Sequence, residues 1–132
     1  MLLGTSCTFK APRTGIPPEV EAAIGTIGDD IANERYEKLY HEASELWQQA
    51  VTLDRSNEVF KQLHDRLGKV ENRVLHSATE QTNSGGPLKG HAFIVIYQTK
   101  FERGEGMETF TLIEKDHKWL LARYVVSSTA LN

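Results

Sequence analysis

Apolar residues along this chain follow two rhythms, and the change between them falls near Gly68. After Pro17 and Pro18, which suit the first turn of a helix, Val20, Ile24, Ile27 and Ile31 recur at helical spacing. A polar break at Asn33, Glu34 and Arg35 follows. Tyr36, Leu39, Tyr40, Ala43, Leu46, Trp47, Ala50 and Val51 then lie along one face of a second predicted helix, whose other face is charged. Ser56 is placed to cap a third helix carrying Val59, Phe60, Leu63 and Leu67. Gly68 stands where helices commonly end in a left-handed residue.

From Lys69 onward the period is two. Residues 69–82 (KVENRVLHSATEQT) read as a long, half-polar strand, and residues 83–90 (NSGGPLKG) as a turn-rich loop. Residues 91–101 (HAFIVIYQTKF) form a strongly apolar strand rich in β-branched and aromatic side chains. A turn at 102–106 leads into a hairpin of 107–115 and 118–128 about Asp116 and His117. Three N-terminal helices followed by strands predict an α+β domain, with a four-stranded antiparallel meander packed on the helices. The domain is expected over 16–132, with 1–15 as a tether or signal remnant.

The strand alternation carries more. It puts Phe93, Val95 and Tyr97 on one face and Ala92, Ile94 and Ile96 on the other, and both faces are apolar. In the last strand it sets Leu120, Ala122, Tyr124 and Val126 against Trp119, Leu121 and Val125. One helical layer covers one side of a sheet, so the second side needs another cover. A homodimer through the sheet is the simplest expectation, and an N-terminal segment folded back over the sheet is its rival.

Composition narrows the partners. At a net charge of -3 the chain has no basic surplus to neutralise phosphates, so no nucleic acid is expected, and anionic membrane surfaces are disfavoured on the same ground. The single cysteine, Cys7, can form neither an internal disulfide nor a cysteine-rich zinc site. Its context, MLLGTSC, resembles the end of a bacterial lipoprotein signal, although Gly4 stands three places before the cysteine and the charged start and apolar run of a secretory signal are missing. Cys7 is therefore a lipid-attachment candidate, and TFKAPRTGIPP behind it reads as a tether. The expected address is the bacterial envelope, periplasmic or lipid-anchored, with membrane contact only through that anchor. An ordinary frayed terminus on a cytoplasmic protein is the alternative.

Arg73 and Glu108 each interrupt an otherwise apolar or β-prone strand. On one face of the sheet they would form a partly buried ion pair, expected to be structural. Among the histidines, only His41 with Glu45 has an i, i+4 spacing, and no third ligand accompanies it, so no metal is expected. No cofactor is expected either, since there is no G-x-S-x-G, Walker loop or dinucleotide fingerprint. NSGGPLKG joins two strands and opens no helix, so it lacks the amide cradle that holds phosphate.

The order of three helices and a long meander resembles the nuclear transport factor 2-like, or cystatin-like, cone fold. NERYEKLY, LGKVENRVL, YQTKF, METFTL and KWLLARYVV resemble, over roughly residues 16 to 126, an uncharacterised bacterial envelope domain of unknown function. The Pro that often precedes Leu67 and Gly68 in that domain is missing here. The resemblance implies a curved, cone-shaped sheet with a pocket between the helices and its concave side, suited to a small apolar ligand. Some cone-fold proteins transfer protons there with a tyrosine and an acidic residue. The matching residues are Tyr36, Tyr40, Tyr97, Glu108 and Tyr124, taken as pocket candidates, with no residue assigned a catalytic role. The expected function is a non-catalytic ligand-binding or protein-assembly module. A small isomerase-like or hydrolase-like enzyme using Glu108 and a tyrosine is the alternative.

Overall fold

Gly68 does mark the boundary between helices and strands. The computed structural model describes residues 8–12, 15–86 and 88–131. Strand β1 (Thr8–Pro12) precedes helices α1 (Pro18–Ala32), α2 (Tyr36–Glu42), α3 (Glu45–Ala50) and α4 (Leu53–Leu67). Strands β2 (Val70–Asn83), β3 (Gly90–Phe101), β4 (Gly104–Lys115) and β5 (Lys118–Ser127) follow, and a short 3-10 turn spans Thr129–Leu131. Gly68 has φ 77°, and a Cβ there would stand 2.7 Å from Glu102 Oε1, so both backbone and space require glycine.

Among the described residues four helices, rather than three, precede the meander. The predicted second helix breaks at Ala43 and Ser44, whose backbones are extended. The Ser44 N–H donates to Leu121 O of β5 at 2.9 Å, so the sheet takes the donor that a continuous helix would need. Ser44 Oγ then caps α3 by accepting from Trp47 N at 3.4 Å. The apolar stripe runs on across this break because both short helices face the same core, so periodicity alone does not reveal it. The cap of α4 is Thr52, which accepts from Arg55 N at 3.1 Å. Ser56, expected in that role, lies a turn inside the helix, where its hydroxyl accepts from Trp47 Nε1 at 3.1 Å.

The sheet is antiparallel with strand order β1-β2-β3-β4-β5. Its four long strands form the expected meander. The fifth, β1, pairs with the far half of β2 from Thr8↔Asn83 to Pro12↔Thr79. Residues 8–12 are thus an edge strand and not a tether; a five-residue segment ending in proline is too short to show alternation, and proline is tolerated at an edge. The remainder of the predicted tether's first part, including Cys7, lies outside the described residues.

Register shifts at Val70/Asn72 and Leu75/Ser77 put extra residues into β2, and one opposite Thr111/Leu112 puts an extra residue into β5, which bends these strands. The last corrects the expected faces of β5. Thr111 pairs with Arg123 and Leu112 with Leu121, which leaves Ala122 as the extra residue. Trp119 and Leu121 therefore share the core side with Tyr124 and Val126. On that side Phe93, Val95, Phe110, Leu112 and Leu121 meet Val20, Ile24, Leu39, Trp47 and Phe60 of the helices. Phe60 lies at the centre, with the rings of Tyr36, Trp47 and Tyr124 at 5.7, 5.9 and 5.5 Å.

The opposite face is mixed rather than uniformly apolar. Ile96 is flanked in register by Ser77 and Thr109, and Ile94 by Thr79 and Thr111. Among the described residues Val74 and Val125 are the most exposed large apolar side chains, at 57% and 55%.

Candidate functional site

On the core side of the sheet, four strands each deliver one polar residue to a single point. Arg73 of β2 pairs directly with Thr99 of β3, while Glu108 of β4 pairs with Tyr97, two residues before Thr99. Tyr124 of β5 completes the group. Glu108 is fully buried and accepts four hydrogen bonds. Its Oε1 takes Arg73 Nε at 2.6 Å and Thr99 Oγ1 at 2.7 Å. Its Oε2 takes Arg73 Nη2 at 3.1 Å and the Tyr124 hydroxyl at 2.5 Å. The two-pronged grip of Arg73 is the strong form of the carboxylate–guanidinium pair. Filling every remaining lone pair is what makes a buried carboxylate tolerable.

Titration behaviour follows from this closure. Burial pushes the Tyr124 hydroxyl well above the usual tyrosine range, and the charge of Glu108 and its hydrogen bond push the same way. Burial by itself would lower Arg73, but the hydrogen bond and charge of Glu108 outweigh it, and the guanidinium is raised overall. The Arg73 guanidinium carbon also lies 5.7 Å from the centre of the Phe110 ring.

Above this cluster a cavity of about 290 Å³ opens between α1, α4 and the start of β2. Gly25 and Gly28 form one wall, Phe60 and Leu63 another, and Arg73 and Tyr124 the floor; Glu108 lies beneath them and outside the lining. A larger groove of about 590 Å³ runs between α1, α2 and β5. Its buried polar residue, Asp30, is already occupied by Arg35 Nε and Lys38 Nζ, each at 2.9 Å. The smaller cavity is therefore the better candidate, since its floor holds a charged donor that the fold does not fully use.

Of the pocket candidates, the structure brings together Glu108 and Tyr124, with Arg73. Tyr36 stacks on Phe60 instead, its hydroxyl buried and without a partner among the described residues, and burial pushes it upward in pKa. The Tyr40 hydroxyl is shared between Gln48 O at 3.1 Å and Val51 O at 2.8 Å, so it ties α2 to the end of α3 away from the cavity. Tyr97 packs edge-on against Phe110 and is not in the lining. His41 and Glu45 fall on different helices, and Glu45 binds Lys115 at 3.2 Å. Among the described residues no three His, Cys, Asp or Glu side chains are placed to hold a metal.

Thr99 is the site residue that sequence reasoning missed. Its signal was present: it continues the Phe93, Val95, Tyr97 alternation, and a hydroxyl on that apolar side needs a buried partner. Residues 28–124 match a family model described as a protein of unknown function, DUF4019. No curated protein and no solved structure matches the chain.

Proposed function

The chain belongs to the DUF4019 family, and we propose that it is a non-catalytic module that binds a small, mainly apolar molecule in the cavity between α1, α4 and the sheet. One observation carries this reading: all four acceptor positions of Glu108 are filled by Arg73, Thr99 and Tyr124. A carboxylate so occupied has no free lone pair with which to take a proton from a substrate, which argues against the enzyme alternative. It acts as the anchor that holds Arg73 and Tyr124 rigid at the cavity floor.

The bent meander with helices on one face supports assigning the domain to the nuclear transport factor 2-like cone. Exposed Val74 and Val125 on the other face support pairing of two copies through the sheet. The envelope address rests on the residues ending in Cys7 and is tested by mass spectrometry of the native protein for an attached lipid. The binding reading is tested by native mass spectrometry of gently purified protein. A co-purifying small molecule that is lost in the folded Leu63→Trp variant is expected. A molecule that survives this filling of the cavity, or turnover that depends on Glu108, overturns it.

A further inference from the structure

Two features of the cavity wall are not explained by the packing of the fold. The first is the third guanidinium nitrogen of Arg73. Nε and Nη2 are engaged by Glu108, whereas Nη1 has no acceptor among the described residues. Nη1 lies 3.2 Å from where a Cβ on Gly28 would be, and Arg73 and Gly28 both line the cavity, so Nη1 sits where the floor meets the α1 wall. The second is Gly25. Glycine weakens a helix interior, yet Gly25 has no positive φ, and no atom stands within 4 Å of the Cβ it lacks. With Gly28 and Ala32 it gives α1 a flat wall, facing Phe60 and Leu63 across a slot.

The charges at this slot are unevenly matched. Glu108 is held by Arg73 from below. Asp29 at the rim is held by Arg35 at 2.5 Å and Asn33 at 3.2 Å. Glu102 takes the backbone N–H of Lys69 at 2.7 Å. Lys69, an exposed residue that also lines the cavity, has no carboxylate partner among the described residues. Arg73 thus brings a spare donor to the cavity and Lys69 an unpaired positive charge to its exposed edge, while Asp29, Glu102 and Glu108 are already hydrogen-bonded.

Resting on the cavity reading above, we propose that the ligand is a small, flat monocarboxylate: one or two fused rings in the slot, with the carboxylate on Arg73 Nη1 and the charge of Lys69 at the rim adding to its attraction. A guanidinium carries five N–H donors, so Arg73 can bridge Glu108 and a second carboxylate. A volume of about 290 Å³ sits at the small end of ligand sites and suits one or two rings better than a long acyl chain or a peptide.

Calorimetric titration of the full chain with 2-naphthoate and with its neutral isostere 2-naphthamide tests this, on the native protein and on Gly25→Leu, with thermal melting as the folding control. The acid is expected to bind at least about tenfold tighter than the amide, because charge-assisted hydrogen bonds are the stronger ones. Gly25→Leu is expected to weaken the acid at least about tenfold while melting no lower than the native chain, since leucine is a far better helix former than glycine. Equal binding of acid and amide, both lost in Gly25→Leu, overturns the carboxylate assignment and leaves the cavity reading standing. Binding that Gly25→Leu does not diminish, or no binding of either compound at millimolar concentration, overturns both.

Discussion

Two carboxylates are buried among the described residues, Glu108 and Asp30, and they are held in opposite ways. Donors to Glu108 come from three other strands, 35, 9 and 16 residues away, and its cation Arg73 is only 25% exposed. Donors to Asp30 come from five and eight residues away, and Arg35 and Lys38 are 42% and 44% exposed. The first cluster joins the sheet across its width. The second fastens the end of α1 to α2 at the surface. What separates them is the fate of the cation when the carboxylate is lost: Arg35 and Lys38 can turn to water, whereas Arg73 is held under α1 against Gly28.

The largest expected effect is therefore from Glu108→Gln, which strands the Arg73 charge. A loss of about 3–5 kcal/mol in urea unfolding is expected. Tyr124→Phe removes one of the four donors to Glu108 and is expected to cost about 1.5–3 kcal/mol by the same measurement. It also changes the alkaline limb of stability. Because folding raises the pKa of Tyr124, the stability this group contributes is full below the unfolded tyrosine value of about 10 and is lost as pH climbs toward the folded value. Unfolding titrations above that pH should show a shallower decline in Tyr124→Phe than in the native chain. Some decline should remain, since burial also raises Tyr36 and Tyr97.

Asp30→Asn should cost less than Tyr124→Phe in the same assay; a loss matching Glu108→Gln would erase the distinction between the clusters. The smallest effect is expected at Tyr36, whose hydroxyl is buried without a partner among the described residues. Tyr36→Phe should leave stability unchanged or raise it by up to about 1 kcal/mol, read from the urea midpoint.

The same contrast explains what was legible in the sequence. Arg73 and Glu108 stood out because a charge inside an apolar strand is anomalous, and the structure joins them. Asp30 did not, because an acidic residue in an amphipathic helix is ordinary, and only tertiary packing buries it to 2%. The switch of period at Gly68 was visible because it spans dozens of residues. The break at Ser44 was not, because it is made by one bond to Leu121, far along the chain. The faces of β5 were misassigned for a related reason: the one-residue bulge at Ala122 inverts all that follows it, and alternation counted from sequence has no means of detecting an extra residue. The cavity itself was expected only through a family resemblance, because which of five candidate residues meet depends on how helices lie over the sheet.

Whether Arg73 and Glu108 act as one structural unit is tested most directly by a double-mutant cycle in urea, comparing Arg73→Met, Glu108→Gln and the two together. A unit closed on itself gives a double variant at least as stable as Glu108→Gln, with a coupling of about 2–3 kcal/mol. Losses that add to within about 0.5 kcal/mol would show two independent residues and contradict the role assigned to Glu108 as the anchor of the cavity floor.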